Sequence, residues 1–216
     1  MGKSESRKPL RGIKKEKIMD IAYNILDFET TGFSADYDRV IEIGVVKIRN
    51  GKIMETFQEF VNPGRRIAGA ITSLTGITND MVKDADRSSK VMPRLKSFVG
   101  DELIVAHNAS FDSRFYKAEM KRIKIYPKNE FLCSLLLARR VYQDLDSHKL
   151  GVLCHYLGIT NKASHRALGD AQATHKVFKA ICERIKRSSG RSQVDYKYLT
   201  RLSKIPKKKV ASFLRV

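Results

Sequence analysis

The sequence predicts a mixed α/β domain with a sheet whose ends are open to carry a site. Three observations predict it. Three strand-like segments follow one another near the start, the last two joined at Asn50-Gly51. A short, wholly apolar segment, ELIVAH (102–107), comes after a helical stretch. A long amphipathic pattern then covers residues 166–187.

The elements can be justified in order. Residues 21–28 are apolar and β-branched enough for a strand, and VIEIGVVKI (40–48) and GKIMETFQEFVNP (51–63) read as two more. Asn-Gly is a strong hairpin signal, so these three strands form an antiparallel meander closed by Pro63-Gly64. Residues 70–83 read as two short helical pieces broken at Gly76. Residues 88–100 have apolar side chains at helical spacing, with Pro93 near the first turn and Gly100 as the stop. ELIVAH is expected as a central strand. Residues 109–123 read as a helix with Phe111, Phe115 and Ala118 on one face, and 131–142 and 148–158 read as two further helices. In the last helix, 166–187, Ala167, Ala171, Thr174, Val177, Phe178 and Ile181 face inward.

Charge divides the chain into three parts: a basic extension at 1–19, a folded body at 20–187 and a basic tail at 188–216. The net charge is +19, and residues 184–216 hold eleven Lys and Arg against one acid. A nearly neutral body with basic ends suggests a polyanionic partner, most simply nucleic acid. No run of about 18 apolar residues predicts a membrane span. The basic start lacks the apolar stretch of a signal peptide, so the expected place is the cytoplasm. Cys133, Cys154 and Cys182 form no CxxC pair, and they read as buried free thiols.

Three segments carry acids at strand ends or helix starts. In ILDFETTGF (25–33), Asp27 and Glu29 project from the same face of a strand, with Phe28 turned to the opposite face. Two convergent carboxylates repel unless cations sit between them, and hard divalent ions prefer such oxygens. Alone, the pair is a weak signal and reads first as a surface or capping feature. In VAHNASFD (105–112), Asp112 falls in the first turn of a helix, where the dipole by itself favours an acid. In SHRALGDA (164–171), His165 precedes the long helix and Asp170 sits within it on an Ala-rich face. Were both helical, their side chains would diverge by about 140°, so His165 must bend over from the preceding loop. Together the three segments can hold two divalent ions about 3.5–4 Å apart, an arrangement suited to in-line displacement at phosphorus. A neutral His could take the proton of the attacking water.

DFETTG, HNASFD and HRALGD, in this order, resemble the three motifs of the DEDDh, or DnaQ-like, 3′–5′ exonucleases, and SLTGIT (73–78) matches another recurring piece. The resemblance covers about residues 20–185 and implies a ribonuclease H-like fold, with three antiparallel strands followed by parallel additions. It implies Asp27, Glu29, Asp112 and Asp170 as ligands of two Mg²⁺ or Mn²⁺ ions, and His165 as general base. It also implies substrate contacts at Phe28, Thr30, Thr31, Leu74, Ile77 and Asn108, with Thr30 and Thr31 acting through their backbone. His107 is expected as a structural neighbour of Asn108, and His148, His155 and His175 as structural or surface residues. The implied partner is a single-stranded DNA 3′ end, with RNA left open, and a polymerase or its clamp is a candidate protein partner. A non-catalytic nucleic-acid-binding module is the alternative of another class, and its signature would be a lost ligand or a lost His. For the basic ends, phosphate contact, protein docking (193–199 loosely resembles a clamp-binding peptide) and a nuclear-type signal at 205–210 all stay open.

Overall fold

The middle strand of a five-stranded sheet, β1 (Tyr23–Thr30), carries the first acidic pair. The computed structural model describes residues 22–161 and 163–215, and the expected N-terminal extension lies outside them. Two strands, β2 (Val40–Arg49) and β3 (Lys52–Phe60), pair antiparallel in succession on one side of β1. On the other side, β4 (Leu103–Ala106) and β5 (Phe131–Cys133) pair parallel, giving the order β3-β2-β1-β4-β5. The hairpin turns at Asn50 and Gly51 with φ of 51° and 69°, as its Asn-Gly sequence demands. The mixed sheet is the ribonuclease H-like arrangement the motifs implied, with β4 in the interior and β1 at the centre.

Helices cover both faces. One face holds α3 (Ser88–Val99) and α4 (Ala109–Arg122). There Leu26, Phe28, Ile43 and Val45 pack with Val91, Leu95, Phe115 and Tyr116. The opposite face holds α5 (Ser134–Val141), α6 (Leu150–Tyr156) and α7 (Ala167–Ser189), where Tyr23, Ile25, Val46 and Ile48 meet Leu137, Leu153, Val177 and Phe178. Two short helices, α1 (Gly69–Thr75) and α2 (Asn79–Val82), break at Gly76, whose φ is 73°, and help bury Ile41, Ile67 and Ile77.

Side-chain alternation explains where the acids go. Tyr23, Ile25, Asp27 and Glu29 share one face of β1, so a face that begins buried against α7 ends in two carboxylates below the start of α7. In the neighbouring strand Gly44 lies opposite Asp27. A Cβ there would stand 2.1 Å from the Ala167 carbonyl carbon and 2.2 Å from the Leu168 nitrogen. That contact is between backbones, and no side chain can swing away from it. The missing side chain at Gly44 thus lets α7 approach the sheet closely enough to bring Asp170 over Asp27. Gly44→Ala is expected to destabilise the domain by about 2 kcal/mol or more through overpacking. Urea denaturation should show the midpoint falling with an unchanged m value.

Two expectations are corrected. Residues 131–142 are not one helix: the first three form β5, because Leu132 pairs with Val105 at the sheet edge before α5 begins. The stretch after Gly190 is not a loose tail. It forms α8 (Tyr196–Lys204), a 3-10 turn at Lys207–Lys209 and α9 (Val210–Leu214). Val194, Leu199, Leu202, Val210 and Leu214 join the core beside α5 and α7, and Arg140 Nε donates to the Ile205 carbonyl at 3.1 Å.

Candidate active site

β1, α4 and α7 each bring acids to the same end of the sheet. One oxygen each from Asp27, Glu29 and Asp170 lie within 4.8 Å of one another. Asp112, 2% exposed, comes from the first turn of α4, and its Oδ1 accepts the Phe28 amide at 3.3 Å. It thereby grips β1 between the two acids of that strand. Asp170 is held by two donors, the Asn161 side-chain amide at 2.6 Å and the His165 backbone amide at 3.0 Å. His165 is exposed in the loop before α7 at a φ of 60°, and its own amide sets it beside Asp170. All five expected core positions are therefore gathered at one sheet end.

The electrostatics are those of a site built for cations. Burial, followed by the charges of Asp112, Asp170, Glu29 and Glu42, pushes the Asp27 carboxyl well above the usual carboxylate range. Burial and then Asp170 and Glu42 raise Glu29 to about 7, against the pull of Arg166. Asp112 is raised to about 8, chiefly by burial, and burial also raises Asp170. Acids this crowded without full compensation are poised to take hard cations. The donor set, carboxylate oxygens from three segments, fits divalent ions of that kind.

Sequence reading missed Glu42. It is fully buried on β2 opposite Glu29, and its carboxylate accepts the Arg166 guanidinium, the Ala167 amide at 3.0 Å and the Gln58 side chain at 2.9 Å. Glu42 therefore fixes where α7 starts and holds Arg166 beside Glu29. Its only sequence signal was an acid among the apolar residues at the start of that strand. The loop after β1 was also richer than expected. Asp38 accepts from the Thr31 hydroxyl at 3.1 Å and the Ser34 amide at 2.9 Å, while Arg39 pairs with buried Glu119 at 2.8 Å. This fixed loop displays Phe33, 77% exposed, an aromatic face that sequence reading left without a role.

The expected substrate contacts divide. Asn108 is exposed at the start of α4 with a φ of 70°, and Leu74 is half exposed on α1. Thr30 and Thr31 hold the turn beside the acids, where the Thr31 amide donates to the Arg39 carbonyl at 2.9 Å. Phe28 and Ile77, in contrast, are buried in the core clusters, so neither presents a side-chain surface to a nucleotide. Phe28 faces the core as strand alternation predicted. His107 is structural as expected, bridging Ser134 Oγ at 3.0 Å and the His148 carbonyl at 2.9 Å.

A family model described as exonuclease matches residues 25–178, a span that holds every acid of the cluster and His165. The chain belongs to the exonuclease family. It is an enzyme domain of the hydrolase class, and the family is divalent-metal dependent. Curated relatives of this exonuclease domain include the DNA polymerase III PolC-type of Caldanaerobacter subterraneus subsp. tengcongensis, 41% identical over 172 residues, 80% of this chain and 12% of that protein. That of Clostridium perfringens is 40% identical over 171 residues, 79% of this chain and 12% of that protein. The chain thus spans about 12% of the length of these relatives. Among solved structures, Exonuclease X in complex with 5′ overhanging duplex DNA superposes with a TM-score of 0.65 at 26% identity, covering 84% of this chain and 99% of that one. E. coli Exonuclease I in complex with a dT13 oligonucleotide gives a TM-score of 0.69 at 19% identity, covering 77% and 42%, which speaks to the fold. Among the described residues no helix is long and apolar enough to cross a membrane.

Proposed function

We propose that this exonuclease removes nucleotides stepwise from single-stranded or frayed 3′ ends of DNA and releases nucleoside 5′-monophosphates. The observation that carries the reading is the convergence of Asp27, Glu29 and Asp170 within 4.8 Å, with Asp112 bound to the backbone between the first two. In this reading Asp27, Glu29, Asp112 and Asp170 hold two divalent cations, Mg²⁺ or Mn²⁺. When bound, such cations activate the attacking water and stabilise charge on the leaving oxygen. His165, exposed and hinged on the Asp170 carboxylate through its own amide, takes a proton from that water as general base. The Thr30–Thr31 turn holds the terminal sugar and phosphate, and Phe33 and Leu74 offer apolar faces to the last bases.

DNA is favoured because the names of the curated relatives are those of DNA polymerases and a solved neighbour was captured on duplex DNA. Removal of misincorporated nucleotides beside a polymerase is the setting those relatives suggest. The test is digestion of matched DNA and RNA oligomers, paired, mispaired and single-stranded at the 3′ end, with Mg²⁺ or Mn²⁺. Faster release from mispaired DNA ends is expected. A preference for RNA would replace the proposed substrate, and failure on every oligomer would remove the reading.

A further inference from the structure

A cavity of about 440 Å³ opens at Asn108, on the sheet end that carries the acids. Its walls are fixed. His107 ties the end of β4 to the loop before α6 through the His148 carbonyl, and His148 Nε2 lies 2.8 Å from the Tyr142 carbonyl at the end of α5. The C-terminal turn forms another wall, held where Gln143 Nε2 donates to the Lys207 carbonyl at 3.2 Å.

Three exposed cations line this cavity from three separate segments: Arg139 on α5, Lys149 before α6 and Lys207 in the C-terminal turn. Among the described residues none has a carboxylate within 4.0 Å, the distance at which the chain's other ion pairs are formed. Asp146 is the one acid in the wall. Asn108 belongs both to this wall and to the start of α4, four residues, or about 6 Å, ahead of Asp112. Its side-chain oxygen accepts from the Ser110 hydroxyl at 3.2 Å, which turns its amide group to other partners. A cavity lined by one acid and by three cations that lack a carboxylate partner among the described residues favours an anion, and Asn108 sets it beside the start of α4, which carries Asp112.

We propose that this cavity seats a backbone phosphate of the substrate strand a few nucleotides upstream of its 3′ end, held by Arg139, Lys149 and Lys207. The inference rests on the nucleic-acid reading above and extends it by giving the folded C-terminal turn a part in binding.

The test is a fluorescence-anisotropy titration with a single-stranded DNA oligomer in EDTA, comparing the full chain with its Arg139→Gln/Lys149→Gln/Lys207→Gln variant. The variant should bind at least tenfold more weakly, and its slope of log affinity against log salt should be shallower by about 0.7, the share of one neutralised phosphate on a single strand. An equal charge removal on the exposed face of α7, Lys176→Gln/Lys179→Gln/Arg187→Gln, should weaken binding roughly twofold at most, since screening limits distant charges. Neutral methylphosphonate linkages are then placed one at a time from the 3′ end. One or two adjacent positions should weaken the wild type and leave the cavity variant unchanged. Equal losses in the two variants, or equal sensitivity at every linkage, would overturn the proposal. Wild-type cleavage measured in parallel separates the two readings. A cleaving enzyme indifferent to the cavity variant defeats only the cavity, whereas a chain that neither binds nor cleaves defeats both.

Discussion

Asp27→Asn is expected to lower the cleavage rate by ~10³-fold or more and, in the same protein without metal, to raise the melting temperature. The two effects share one cause. Asp27 sits between the acids of α4 and α7, and four other carboxylates raise its carboxyl after burial has done so. Asn keeps the shape and removes the charge. Without cations, folding no longer gathers a negative group among its like, so the folded state gains. With cations, a central ligand is gone, and charge stabilisation worth several kcal/mol goes with it. An acid whose task is to hold the fold would behave the other way, and its loss would lower stability. The check is a melting curve in EDTA beside cleavage of a 5′-labelled oligomer in Mg²⁺. A lower melting temperature, or cleavage within tenfold of the wild type, would count against the assignment.

Above about pH 6 the metal-free domain is expected to lose stability as pH rises, and divalent cations should restore it most at the alkaline end. Burial pushes the Asp112 carboxyl up to about 8 and Glu29 up to about 7 in the folded chain, against ordinary values of 3.8 and 4.5. Folded-state values raised above the unfolded ones mean that the folded chain keeps protons the unfolded chain has released. The burden is absent below the ordinary carboxylate range, grows as pH climbs towards 7 and 8, and is complete above about 8. At about 1.4 kcal/mol per pKa unit, Glu29 alone contributes about 3 kcal/mol over the whole climb from its ordinary value, of which about 1.4 kcal/mol is left to be lost above pH 6. Cation binding needs these acids deprotonated and stabilises only the folded state, by about 2.7 kcal/mol at a hundred times the dissociation constant. Urea denaturation at pH 6 and pH 9, in EDTA and in Mn²⁺, should therefore show a pH-dependent midpoint in EDTA and a nearly level one in Mn²⁺. Stability that rises with pH in EDTA would contradict the argument.

What the sequence disclosed, and what it concealed, follows from the range of the interactions. Asp27 and Glu29 were legible because strand alternation is local, and Asp112 because a helix start follows directly on β4. His165 was legible as a loop residue because helical rotation could not serve it and Asp170 together. Glu42 was hidden because its role depends on lying across from Glu29 in the next strand and under Arg166, 124 residues away. β5 was hidden because three apolar residues running straight into α5 carry no period of their own. The C-terminal helices did leave a trace. Asp195 caps α8 by accepting the Tyr198 amide at 2.7 Å, and Leu199 and Leu202 recur at helical spacing. The density of Lys and Arg around them masks that pattern, because the apolar positions are few among the charges.

That final helical lobe also bears on how the molecule can be cut. The family match stops at residue 178, midway along α7. A chain trimmed there would lose Ile181, Cys182 and Ile185 together with Leu199 and Leu202, all of them buried against the Tyr23–Phe178 side of the sheet. The stump would bare a broad greasy surface and tend to clump. Fusions, tags and recombinant boundaries are better set beyond Leu214, so that the last turn of the polypeptide stays in place as a lid on the interior.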